Sequence, residues 1–322
     1  MATARRHLTT LASLAAPIAL PVERLEGRLH GSEAPVTLVF AGATETADFV
    51  ADSLFTVERR APLGRLRSPL QLRSAAFGRL RDDADLVAVE LPALWRFCLP
   101  AGMPLRMPAW VSQEIRCGSG SPLVLPAELR KEVRRHSRRE GYELDLSTEA
   151  GDIRRFYAEL YRPYVTARFR AGAVVVDEDR FLAVSRGMTL AILRAGGERV
   201  AGMLFQQRGA TLHLGWFGSA SVPPRAGASE VLDAGVIERA AAQGARRVVM
   251  GHSRPSLADG VVRYKSRFGA AVRPTRFPQR VIGLSILRHS QSLAASLNAA
   301  RFVTLRHGEP QVYEAPSGAP ER

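Results

Sequence analysis

A chain of 322 residues has the length of two domains of about 150 residues each, and its 46% hydrophobic and 24% charged content excludes a disordered or fibrous chain. No stretch approaches the roughly 18 uninterrupted apolar residues of a membrane-spanning helix, so no membrane span is expected. Its 45 basic and 31 acidic residues leave a net charge of +14, which points towards polyanions such as nucleic acid, phosphate-rich cofactors or membrane surfaces. Lys131 and Lys265 are the two lysines; every other Lys/Arg position is arginine. That skew, beside abundant Ala, Gly and Val, has the look of a GC-rich coding bias and weakens the inference from charge. Cys98 and Cys117 do not make a disulfide framework, and no CxxC or HxxxH spacing marks a metal site. A reducing cytoplasm is the compartment expected.

Arg5-Arg6 precedes a mild apolar run from Leu8 to Leu20, broken by His7, Thr9, Thr10, Ser13 and Pro17. Residues 1–25 therefore read as an N-terminal arm or helix rather than a signal peptide. Val36 to Gly42 is an apolar run ending in glycine, as in a buried strand. Thr44 to Leu54 carries helical spacing through Ala47, Val50, Ala51 and Leu54. Asp85 to Leu91 is a second buried strand halted by Pro92, and Pro100, Pro104 and Pro108 mark a loop-rich passage.

The stretch from Pro126 to Gly141 begins with proline and stops at glycine, the asymmetry of helix ends. Arg130, Arg134 and Arg138 fall on one i,i+4 row, and Lys131, Arg135 and Arg139 on the next. Only Leu129 and Val133 are apolar, so this helix buries a thin stripe. It reads either as a solvated connector or as a phosphate-facing surface for a cofactor or an RNA. Beyond it, Asp152 to Tyr164 is a helix with Ile153, Phe156, Leu160 and Tyr164 on one side. Thr189–Arg194, Arg199–Gln206 and Thr211–Phe217 form a meander whose first turn is Ala195-Gly-Gly-Glu198. A helix from Ser229 to Gln243, a strand at Arg247–Met250 and a short helix from Gly260 to Phe268 follow.

That order of elements resembles the GNAT acyltransferase fold. Glu198-Arg-Val-Ala-Gly-Met-Leu204 looks like a strand common in the superfamily. The segment Gly251-His-Ser-Arg-Pro-Ser-Leu-Ala-Asp-Gly-Val-Val-Arg-Tyr-Lys-Ser-Arg-Phe-Gly-Ala270 resembles the C-terminal signature of its FemAB-like and CelD-like branch. The basic helix and Phe156-Tyr-Ala-Glu-Leu-Tyr-Arg-Pro-Tyr164 look like the same branch. The match covers roughly residues 125–275.

The fold implied is α+β, with tandem GNAT-like domains, each a mixed, mostly antiparallel sheet flanked by helices. The division is 1–25 arm, 26–125 diverged GNAT-like domain, 126–141 connecting helix, 142–282 acyltransferase domain and 283–322 C-terminal helix and hairpin. The activity implied is transfer of an acyl group to a small-molecule or peptide amine. The donor is acyl-CoA or, alternatively, aminoacyl-tRNA, and no cofactor is held permanently. A non-catalytic ligand-binding protein on the same fold stays open. The phosphate loop departs from the family: Pro223-Pro-Arg-Ala-Gly-Ala-Ser229 has the composition but not the spacing. Arg225, Gly227, Ala228 and Ser229 are the candidates there, since a helix N-terminus offers unpaired N–H donors.

Lys265 ranks first as a catalytic candidate, because this branch uses a lysine in the region to steady developing negative charge. His252, after a strand end, and His213, mid-strand, are candidate general bases. Arg254 suits a bidentate grip on a carboxylate or phosphate. Tyr164, Arg168, Trp216 and Tyr264 complete the expected substrate pocket, while Asp259 reads as a helix cap.

Overall fold

The computed structural model describes residues 19–100, 103–118, 122–169, 175–275, 280–306 and 308–315. In chain order come β1 (Leu20–Leu29), β2 (Pro35–Ala41), α1 (Thr44–Asp52), β3 (Phe55–Leu66), α2 (Ala75–Leu80), β4 (Leu86–Pro92), β5 (Leu105–Pro108) and β6 (Val111–Arg116). Then follow α3 (Ala127–Glu140), β7 (Tyr142–Ser147), α4 (Ala150–Phe156), α5 (Arg162–Phe169), α6 (Glu178–Ser185) and strands β8 (Thr189–Ala195), β9 (Glu198–Arg208) and β10 (Thr211–Ser219). The chain continues through α7 (Ala228–Ala242), β11 (Arg247–Ser253), α8 (Gly260–Ser266), β12 (Ala271–Pro274) and β13 (Arg280–Ile286). It closes with α9 (Gln291–Ala300) and the hairpin β14 (Val303–Arg306) and β15 (Glu309–Val312). This is an α+β protein with two mixed, mostly antiparallel sheets flanked by helices.

The first compact unit comprises residues 1–111, 252–263 and 273–322. Its sheet has the order β3-β1-β2-β4-β13-β5; β2 and β4 run parallel and the other pairs antiparallel. Strand β4 is buried along Leu86–Leu91, with Leu86 and Ala88 facing one core and Val87, Val89 and Leu91 the other. A strand enclosed on both faces reads as a continuous apolar run, which is why its sequence shows no alternation.

The second unit comprises residues 112–251 and 264–272. The larger sheet, β12-β6-β11-β10-β9-β8-β7, has the helix, meander, helix and parallel-strand order that the GNAT resemblance implies. Ala191, Leu193, Met203 and Phe205 face a core shared with α3 and α7. Leu190, Ile192 and Leu204 face an aromatic core with Phe156, Tyr157, Tyr161 and Phe181.

The units interleave along the chain, where the sequence suggested consecutive blocks. Strand β6 joins the second sheet before position 125, and β13 lies in the first sheet between β4 and β5. Positions 20–25, expected in an arm, belong to β1, where Leu25 is fully buried; residues 1–18 lie outside the described residues. Strand pairing with partners distant in sequence sets these boundaries, and local patterning carries no trace of it. Cys98 and Cys117 are free thiols.

Between α4 and α5, Tyr157–Tyr161 form a π-helical turn, and Gly218 of β10 lies against it. A β-carbon at Gly218 would stand 2.6 Å from the Tyr161 backbone nitrogen and 2.7 Å from the Leu160 carbonyl carbon. Backbone on both sides leaves no rotamer to relieve such a clash. Gly218→Ala is expected to destabilise the protein by about 1–3 kcal/mol, read as a lowered urea midpoint at unchanged slope.

Candidate functional site

The polar centre of the second unit is built on α7 and α8. Helix α7 is apolar over most of its surface, with Val231, Leu232, Ala234, Val236 and Ile237 buried, yet it also buries Asp233. Tyr264 of α8 donates its hydroxyl to Asp233 Oδ2 at 2.7 Å. The next residue, Lys265, is 9% exposed. Burial raises the Asp233 carboxyl to about 6, against the pull of the Tyr264 hydrogen bond and the Lys265 charge. Burial, followed by the Asp233 charge, holds the Tyr264 phenol well above its ordinary value, so it remains a donor at neutral pH. Arg267 ties this corner to two other elements through Glu230 of α7, at 3.0 Å, and Glu132 of α3.

The N-terminus of α7 lies at the end of the loop that follows β10. Gly227 begins it with φ of +72°, and a β-carbon there would come within 2.3 Å of the His136 ring. Only glycine lets α3 and α7 approach this closely while the chain takes a left-handed turn. His136 is 15% exposed, and its Nδ1 is buried with no hydrogen-bond partner among the described residues. Tyr142 donates to the Ala226 carbonyl at 3.0 Å, fixing the loop from below.

The third feature is an interrupted ladder. Strands β10 and β11 pair in parallel only at Thr211–Arg247, Leu212–Val248 and His213–Val249, although β10 runs on to Ser219. The β9 register also slips between Leu214 and Phe217. Gly215 and Trp216 therefore form a bulge opposite Leu204 of β9 and lie beyond the three pairs made with β11. Parallel strands that part at their C-terminal ends leave a crevice, the usual ligand position in such sheets.

No protein-family model and no curated protein matches the sequence. Among solved structures, L-PGS from Bacillus licheniformis is similar at 13% identity and a TM-score of 0.41, with 86% of this chain and 90% of that one covered. A GCN5-related N-acetyltransferase from Sphaerobacter thermophilus is similar at 14% identity and a TM-score of 0.40, covering 79% and 74%. Another from Kribbella flavida stands at 13% and 0.31, covering 80% and 83%. These likenesses are remote.

Of the residues expected from the sequence, Lys265 and Tyr264 meet at the buried centre. Gly227 and Ser229 lie at the start of α7 and Arg225 in the exposed loop before it. Ala228 is fully buried, and its N–H bonds back to the Arg225 carbonyl at 3.0 Å, so it presents nothing to a ligand. His213 is exposed on the sheet face opposite Leu212 and Leu214; partial burial of the ring and the charges of Arg208 and Arg247 lower its pKa. Tyr164 is buried edge-on to Phe217 at 5.3 Å, with Arg168 over its ring. Trp216 stacks on Phe181 at 4.9 Å.

His252 and Arg254 belong to the first unit. Arg254 is already committed: its guanidinium lies 4.0 Å from the Trp110 ring centre and donates to Thr46 Oγ1 and the Glu45 carbonyl. A bidentate grip on a ligand is not available in that arrangement. Asp259 does cap α8, accepting from Val261 and Val262 N–H. Among the described residues, no group of three or more His, Cys, Asp or Glu side chains is placed to hold a metal.

Asp233 was missed in the sequence, although an acid inside an apolar helical stripe is a readable signal. The same holds for Glu90 within β4. It is 2% exposed and accepts from the Ala43 N–H at 3.1 Å and Arg280 at 2.8 Å.

The raised Asp233 pKa makes a stability prediction. Between the ordinary value of 3.8 and about 6, the folded state keeps a proton that the unfolded state releases. Stability therefore falls as pH rises through that window and levels off above it. The loss is on the order of 2–3 kcal/mol. Asp233→Asn, which retains an acceptor for Tyr264, is expected to remove this slope; urea midpoints across the window for both proteins test it.

Proposed function

We propose that the second unit is an N-acyltransferase that takes an acyl thioester, acyl-CoA in the first instance, as donor. The observation that carries this reading is the parting of β10 and β11 after three residue pairs. A donor arm containing amides can lie in the crevice and bond the main-chain groups at Gly215 and Trp216, as an added strand would. The N-terminal end of α7 gives its pyrophosphate a positive dipole end and backbone donors.

The transfer joins an amine nitrogen to the thioester carbonyl carbon. The C–N bond forms, negative charge builds on the carbonyl oxygen, and the C–S bond breaks with release of thiolate. The amine must lose a proton, and His213, held neutral by its surroundings, is the base candidate within this unit. Lys265 supplies positive charge for the developing oxyanion, with Asp233 and Tyr264 fixing its surroundings.

Acetyl-CoA is expected to raise the melting temperature and to transfer its acetyl group to an amine. Lys265→Met is expected to reduce turnover about a hundredfold or more with little change in KM. Lys265→Arg is expected to recover little, because a planar guanidinium cannot place its charge at the same point. A purely structural lysine would instead lower the melting temperature and leave kcat intact. Failure of acyl-CoA to bind would overturn the reading.

One observation favours a second donor, aminoacyl-tRNA. Helix α3 exposes Lys131, Arg134, Arg135, Arg138 and Arg139 along a concavity that Glu128 and Glu132 also line, a predominantly basic track for a phosphate backbone. Binding of tRNA to filters that falls steeply with salt would support that donor; no binding at low salt would remove it.

A further inference from the structure

In the first unit, two short 3₁₀ turns, Pro69–Arg73 and Ala93–Cys98, pack against each other. Each turn anchors itself inward and presents apolar tips outward. Pro69, Leu72 and Cys98 are buried, while Leu70, Leu94 and Phe97 are 60%, 64% and 59% exposed. The tips are held rather than loose. Ser68 accepts from the Leu70 N–H at 3.3 Å, Arg73 donates to the Phe97 carbonyl, and Trp95 stacks on Phe97 at 5.7 Å. Three large apolar side chains held in water at neighbouring turns are unfavourable unless something covers them.

The charge flanking the two turns in the sequence is of one sign. Every charged residue in 61–81 and in 93–107 is an arginine. Among the described residues, Arg67, Arg73 and Arg96 form no ion pair with a carboxylate. We propose that this face docks on an anionic lipid bilayer, with Leu70, Leu94 and Phe97 entering the headgroup region and the arginines meeting lipid phosphates. A second copy of the chain, meeting it two-fold, would bring arginine against arginine. A nucleic acid would satisfy the arginines and leave the leucines exposed. An anionic bilayer offers both an apolar layer and a negative surface, the combination that interfacial anchors use. The inference is independent of the activity proposed for the second unit.

Flotation with vesicles tests it directly. The protein is expected to float with phosphatidylcholine vesicles containing one-third phosphatidylglycerol and to stay behind with phosphatidylcholine alone. Leu94→Ser with Phe97→Ser is expected to weaken partition tenfold or more while lowering the melting temperature only slightly, through loss of the Trp95–Phe97 contact. Arg67→Gln with Arg96→Gln is expected to weaken it and flatten its salt dependence. Arg186→Gln with Arg239→Gln, which removes two exposed charges in the second unit, is expected to leave partition unchanged. No flotation of the wild type would overturn the proposal. So would equal flotation with phosphatidylcholine alone, undiminished binding of the Leu94/Phe97 variant, or a wild-type dimer that this variant dissociates.

Discussion

The second unit depends on three residue pairs. Strands β10 and β11 hold together at Thr211–Arg247, Leu212–Val248 and His213–Val249, just enough to set their direction and no more. Beyond them β10 runs on to Ser219 with no further pair to β11, and Gly215 and Trp216 bulge against Leu204 of β9. The edge beyond is secured elsewhere: Glu114 of β6 is buried and takes hydrogen bonds from Arg116 and Arg247. Burial pushes that carboxyl up, but these bonds and charges outweigh it and hold the pKa low. Through Arg247 the buried Glu114 thus fastens β6 to β11 at the end of β11 where its pairing with β10 lies.

Both units place an acid inside an apolar element, but they satisfy it differently. Glu90 sits at the start of α1, where the Ala43 N–H and the helix dipole meet its charge, with Arg280 beside it. Asp233 has only a phenol and a neighbouring lysine charge, and its pKa rises accordingly. A structural acid is satisfied by a strong donor set, whereas Asp233 is left near the edge of ionisation.

Local pattern revealed much of the second unit. The apolar spacing of α7, the Gly-Gly turn between β8 and β9, and the proline and glycine bounding α3 lie within single elements, where side-chain period and end chemistry act over a few residues. Strands β1 and β3 were invisible because their sequences mix arginine with leucine and they pair with each other across the intervening β2 and α1. Strand β13 sits between β4 and β5, partners about 190 and 175 residues earlier by register, and no local signal encodes such a placement. In the site, Lys265 was conspicuous as one of two lysines, and Gly227 as part of a glycine-bearing loop. Asp233 was legible as an acid on the apolar side of α7, but Glu230 and Glu238 on the same helix made it look like one more surface carboxylate. Arg254 pointed the other way: it looked available as a sequence letter, but Trp110 and α1 already occupy it.

The interleaved chain has a consequence for the order in which the protein can be completed. Residues 112–272 contain everything the second unit needs, whereas the first sheet lacks its fifth strand in spatial order until residue 286 has emerged. On the ribosome, the region translated first would be the one closed last. Its β4 and β5 edges wait for β13, exposing apolar strand to water and to other chains meanwhile. A stop codon near residue 275 would spare the unit proposed to do the chemistry and leave the earlier-made half with an open sheet.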